Sequence, residues 1–169
     1  MALVRFSFIV RLVQHLPVLI AIEDPTAADI VELLSEHLAD MHSESPPESC
    51  HALDVDALRA EHITLVAARD SSGELLGIGA LAELDPTHGE LKSMRTAHAA
   101  RGQGVASAIV SRLLTIARER GYSHVSLETG SQEYFAAAHR LYARHGFTEC
   151  GPFGDYVEDP HSRFFTLAI

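Results

Sequence analysis

One hexapeptide constrains this 169-residue chain more than any other stretch: Arg101-Gly102-Gln103-Gly104-Val105-Ala106. It stands between a strand-like run at 91–96 and an amphipathic helix whose apolar positions are Val105, Ile109, Leu113 and Ile116. The start of a helix carries unpaired backbone N–H groups and the positive end of the dipole. Glycines let a phosphate approach that backbone with no Cβ in the way, and Arg101 adds a charged donor. The implied geometry is a diphosphate seat. Two other phosphate loops fail. The ATP loop needs a Gly-Lys pair, and the chain has none. The dinucleotide fingerprint fits Gly77-Ile78-Gly79-Ala80-Leu81-Ala82 by letter only, because that stretch reads as the interior of a strand with no helix after it.

The other elements follow from periodicity and turn residues. A β-like run at 18–22 precedes Asp24-Pro25, read as a helix start with Pro at the first helical position. Ile30, Leu33, Leu34, Leu38 and Met41 then recur at helical spacing. A loop is expected at 43–50, a short helix at 54–61, and a hairpin of 63–68 with 75–84. A turn at 85–89 leads to the strand 91–96. After the glycine loop and its helix come a strand at 124–128, a helix at 135–144 and strands at 147–150 and 164–168. The order β-α-α-β-β-β-α-β-α-β-β predicts an α/β (α+β) single domain, a mixed sheet with helices on its faces. Residues 17–169 form that domain. Residues 1–16 are an N-terminal extension of unknown role, an extra strand, a helix or a leader. Arg5 and Arg11 interrupt its apolar run, which is too short for a membrane span and lacks a signal-peptide pattern.

Charge narrows the function classes. Thirteen Lys+Arg face 23 Asp+Glu, a net charge of -10, which argues against a nucleic-acid coat. Between residues 23 and 90 stand 16 acids and two bases, Arg59 and Arg69. Between 91 and 120 stand six bases and one acid. The acidic stretch is expected to form the substrate side for a cation, with solvated helix faces as the plain alternative. Cys50 and Cys150 belong to no C-x-x-C pair, so a zinc ribbon or disulfide scaffold is excluded; a reducing, cytoplasmic setting is expected.

Two motifs in order carry a family resemblance. Arg101-Gly102-Gln103-Gly104-Val105-Ala106 fits [QR]-x-x-G-x-[GA], and Ala138-His139-Arg140-Leu141-Tyr142-Ala143-Arg144-His145-Gly146-Phe147 fits A-x-x-L-Y-x-x-x-G-F. In both, and in element order from Val18 to Ile169, the chain resembles the GNAT superfamily of N-acetyltransferases. The resemblance implies a mainly antiparallel sheet with a splayed parallel pair of central strands. It implies acetyl-CoA as co-substrate and a small-molecule or peptide primary amine that attacks directly in a ternary complex. No nucleic acid, membrane or metal is expected, and a homodimer is left open. A non-catalytic acyl-CoA binding or sensing module of the same fold is the alternative.

The same resemblance assigns roles. Met94, Arg95 and Thr96 lie on the strand whose backbone pairs with the pantetheine arm. Arg101, Gly102, Gln103, Gly104, Val105 and Ala106 seat the diphosphate. Tyr142 is the candidate general acid for the expelled thiolate, with a packed core aromatic as the alternative. No family motif settles the general base; Glu128 is preferred over Glu90 because it should sit nearer the acetyl end, with an ordinary exposed strand-end carboxylate as the alternative for both. Many members carry Asn where this chain has Phe135, so that cofactor contact is missing. His37, Asp40, His42, Glu44, Glu48 and His51 cluster around Pro46-Pro47 without a recognised metal spacing. Cys50 beside His51 lacks the orienting third group of a nucleophilic site.

Overall fold

The computed structural model describes residues 17–169 and the backbone of one strand within 8–10. Strands β1 (Phe8–Val10), β2 (Val18–Ile22), β3 (Ile63–Arg69), β4 (Leu75–Asp85), β5 (His88–Thr96), β6 (His124–Gly130), β7 (Thr148–Cys150) and β8 (Ser162–Ala168) form one sheet. Their order is β1-β2-β3-β4-β5-β6-β8-β7. Every pairing is antiparallel except β5 with β6, which is parallel. A parallel pair needs a crossover, and helix α3 (Val105–Glu119) supplies it. Helices α1 (Ala28–Glu44) and α2 (Val55–Leu58) cover one face of the sheet; α3 and α4 (Ala136–Arg144) cover the other.

Strand alternation sorts the two cores. Leu65, Ala67, Ile78 and Ala80 pack under Ile30, Leu33 and Leu34 of α1 and Leu58 of α2. Val66, Ala68, Leu81, Leu91, Val125 and Leu127 pack under α3, whose stripe includes the expected Val105, Ile109, Leu113 and Ile116. The glycines that mimic a dinucleotide fingerprint serve this packing. A Cβ at Gly79 would stand 2.5 Å from Met94 Sδ and 2.7 Å from Ile109 Cγ2, so the bare backbone lets α3 sit close on β4.

Local differences from the sequence expectation have visible causes. The Asp24 carboxylate accepts from the Thr26 backbone and hydroxyl, closing a turn of its own, so α1 begins at Ala28 and not at Pro25. It continues to Glu44, into the expected loop. The helix expected at 54–61 is one turn, capped by the Asp54 carboxylate accepting from Ala57 N–H. His88 and Gly89, expected in a turn, already pair with β4 and β6, and β8 starts at Ser162. In the N-terminal extension, β1 pairs with β2; the rest of residues 1–16 lie outside the described residues. No described helix is long and apolar enough to cross a membrane.

Candidate active site

The parallel pair is short and then parts. His88, Gly89, Glu90 and Leu91 pair with His124, Val125, Ser126 and Leu127, and pairing stops there. The cause is a bulge in β5. Opposite Gly79 of β4 the register jumps, from Ile78↔Arg95 to Ala80↔Lys92, leaving Ser93 and Met94 against one residue. Ser93 holds φ of 52°, a left-handed conformation uncommon for a residue with a Cβ. A bulge bends its strand, and here the bend carries β5 away from β6. The far edge of β5 then has backbone groups that β6 does not pair. The extra residue also changes side-chain parity. Met94 packs against the α3 core, while Arg95 reaches α1.

A cavity of about 300 Å³ occupies the gap. Met94, Arg95, Arg101, Glu128 and Tyr142 all line it; Thr96 and residues 102–106 do not form its walls. The latter lie just beyond Arg101, where Gly102 and Gly104 have φ of 74° and 83°. Gly104 is the N-cap of α3, in a left-handed conformation that suits glycine, and no acidic side chain occupies the first turn. Gln103 donates to the Ala99 carbonyl at 2.8 Å, so its side chain braces the loop. A helix start with exposed N–H groups, two positive-φ glycines and Arg101 at the cavity wall fits a diphosphate.

Tyr142 sits on α4 at the α3 face, 5 % exposed, its ring edge-on to Phe147. Burial, and then the Glu128 carboxylate, push its pKa above the ordinary phenol value, so it holds its proton. Glu128 leaves β6 toward the α1 face. Burial raises its pKa above the usual carboxylate range, partly opposed by the Ser162 hydroxyl, His51 and Lys92. Glu90 is differently placed. It is nearly fully buried, ion-paired to Lys92 Nζ at 2.9 Å and accepting from the Tyr156 hydroxyl at 2.6 Å. Both carboxylates line the cavity, but the Oε1 of Glu90 is already committed to Lys92 and Tyr156.

Segments of the acidic stretch do line the site, through His37, Met41 and the run from Ser49 to Ala52, but Glu90 is its one carboxylate on the wall among the described residues. Glu23 and Asp29 hold Arg69 at 2.7 Å and 2.6 Å. Asp40 holds Arg95 at 2.7 Å, with Glu36 3.9 Å away and Tyr134 donating to Asp40 at 3.0 Å. Of the cluster near Pro46-Pro47, His37 and His51 reach the cavity wall, and among the described residues no group of three or more His, Cys, Asp or Glu converges on a metal position. Phe135, at the Asn position, is buried and lays its ring against Gly130, where a Cβ would collide with it. It lines the cavity with an apolar surface and no amide.

Sequence reasoning passed over Lys92 and Tyr156. The i, i+2 spacing of Glu90 and Lys92 on a strand signalled a shared face. Tyr156 lies in the irregular stretch between β7 and β8, with no periodicity to mark it. It packs against His51 with ring centroids 5.0 Å apart, which ties the stretch after α1 to the stretch after β7.

A split parallel pair with a glycine-rich helix start beside it defines a class of acyl-group transferase. Residues 28–147 match the Acetyltransferase (GNAT) family, and the chain belongs to that family. It is 48 % identical over 147 residues to YedL of Escherichia coli (strain K12), an uncharacterized N-acetyltransferase, covering 87 % of this chain and 92 % of that one. It is 48 % identical over 150 residues to YsnE of Bacillus subtilis (strain 168), described likewise, covering 89 % and 99 %. A crystal structure described as an acyl-CoA N-acyltransferase, from Klebsiella pneumoniae, superposes with a TM-score of 0.76 at 28 % identity, covering 88 % of this chain and 95 % of that one. The expected family, splayed sheet and acyltransferase class are therefore established.

Proposed function

We propose that the protein transfers an acetyl group from acetyl-CoA to a primary amine by direct attack, with Glu128 as base and Tyr142 as acid. The single observation that carries this is their joint position: both line the gap between β5 and β6, near enough for the Glu128 charge to act on the Tyr142 phenol. Acetyl-CoA supplies an acetyl thioester whose carbonyl carbon the amine attacks and whose sulfur departs. The unpaired edge of β5 at Met94–Thr96 suits an extended amide-bearing arm, and the loop from Arg101 to Ala106 suits its diphosphate.

Glu128 accepts the proton that the amine loses as the carbon–nitrogen bond forms. Tyr142 donates its proton to the departing sulfur as the carbon–sulfur bond breaks. One group gains a proton and the other gives one, so exchange with solvent restores both. The raised values fit these roles. A less acidic phenol stays protonated until the sulfur needs it, and a less acidic carboxyl makes a stronger base.

The test is thiol release from acetyl-CoA across a panel of amines, with mass spectrometry of the product. An N-acetyl product and one free thiol per turnover are expected. Release without an N-acetyl product would overturn the reading.

A further inference from the structure

Lys92 places a cation at the acceptor end of the cleft, and neither proton transfer uses it. It follows Leu91, the last residue of β5 paired to β6, as Glu128 follows Leu127. The two side chains thus leave neighbouring strands on the same face, at the mouth of the split. The Lys92 side chain is only 14 % exposed, so hydrogen bonds must replace most of its hydration. Two are present. Nζ donates to Glu90 Oε1 at 2.9 Å and to the Tyr156 hydroxyl at 2.8 Å, and that hydroxyl donates to the same Glu90 oxygen at 2.6 Å. An ammonium has three N–H groups. The third finds no acceptor among the described residues, and Lys92 lines the cavity.

The support around this cation is extensive. Tyr156 is fixed by ring contacts with His51, Phe153 and Phe164, and Nζ lies 5.5 Å from its ring centroid. Asp40 and Glu36 of α1 face Arg95. The charged groups on the cavity wall are Glu90, Glu128, Lys92, Arg95 and Arg101; Arg95 is held by Asp40 and Arg101 stands at the helix start, which leaves Lys92 as the cation beside Glu128. A held ammonium with one donor to spare, beside the carboxylate that takes the amine proton, is complementary to an anion beside an amine.

We infer that the acceptor is an amino acid or a similar compound bearing a carboxylate next to its primary amine, with Lys92 receiving the carboxylate while Glu128 receives the amine. This rests on the acetyl transfer proposed above. It makes Lys92 a specificity-determining residue. An acceptor without the carboxylate leaves the third N–H unanswered and forgoes one charge-assisted hydrogen bond.

The test compares amino acids with their decarboxylated amines and methyl esters as acceptors for the full-length protein with acetyl-CoA. Free amino acids should be favoured in kcat/KM by about ten- to a hundredfold, the weight of one such bond. Equal or better use of the amines and esters overturns the inference while leaving acetyl transfer intact. Lys92→Met should collapse the preference ratio toward one, and Lys92→Arg should keep part of it. An unchanged ratio in a folded Lys92→Met protein also overturns it. Lys92→Met leaves Glu90 without its cation, so the double variant Lys92→Met/Glu90→Gln is measured beside it. If no acceptor is turned over, the transfer reading fails on its own. Calorimetric binding to the protein with coenzyme A then decides: tighter binding of amino acids than of amines supports the inference, and no difference ends it.

Discussion

Two side chains in the cleft depart from their ordinary acid–base behaviour, and each departure has a measurable sign. Tyr142→Phe keeps the ring that packs against Phe147 and removes only the proton donor. The expected loss is roughly 10²- to 10⁴-fold in kcat, with KM for acetyl-CoA little changed, read by steady-state kinetics with chemistry rate-limiting. Glu128 must be ionised to act as base, and burial raises its pKa from the ordinary 4.5. Activity should therefore rise with pH through a limb above that value. Lys92 holds the Glu128 pKa down, so Lys92→Met should move the limb to higher pH. Glu128→Gln should lower the rate and remove the limb; a pH–rate profile with the same limb in that variant would exclude Glu128 as the base.

At the level of elements, the sheet depends on places where side chains are absent or turned. Gly79 lets α3 approach β4, and its missing Cβ would press on Met94 and Ile109. Gly79→Ala should cost about 1–3 kcal/mol by overpacking, read as a lower urea midpoint with an unchanged slope. Because Met94 lies on the edge of β5 proposed to receive the donor, KM for acetyl-CoA should rise as well. These elements were unequally legible in the sequence. The stripe of α3 and the hairpin of β3 and β4 announced themselves by periodicity, and the glycine loop by composition. The bulge did not, because Ser93 is an ordinary residue in an unusual conformation imposed by its neighbours. The aromatic grouping of Tyr156, Phe153 and Phe164 was hidden because it joins a loop to a strand. The commitment of Asp40 to Arg95 spans two elements, and a charge count along the chain does not reveal who meets whom.

For the whole molecule, acid should be a hazard through His37. It is 8 % exposed, and its Nδ1 has no hydrogen-bond partner among the described residues. Burial first, and Arg95 second, lower its pKa from 6.5 to about 4, with Asp40 opposing. A histidine depressed in the fold binds its proton more readily unfolded, so stability rises with pH between these two values. From about pH 6.5 down to 4, this one site should remove about 3 kcal/mol. His37→Gln should flatten that part of the stability–pH curve, followed by urea denaturation at several pH values. An unchanged slope would assign the acid sensitivity to other groups.

The split between β5 and β6 turns the sheet into a bulkhead with one opening. Tyr142 and the glycine loop belong to the side of α3 and α4; Glu90, Lys92 and Glu128 belong to the side reached by the stretches after α1 and β7. The two sides meet in one cavity at the passage, where Glu128 and Tyr142 act on each other. Changes in the segments carrying His51 and Tyr156 can therefore retune what enters from one side without disturbing the compartment opposite. Paired substitutions drawn one from each compartment, away from the coupled Glu128 and Tyr142 at the passage, should be close to additive in their effects on the two KM values. On the proposed reading, acceptor choice can be rewritten in the segments carrying His51 and Tyr156 while the loop that suits the donor diphosphate stays as it is.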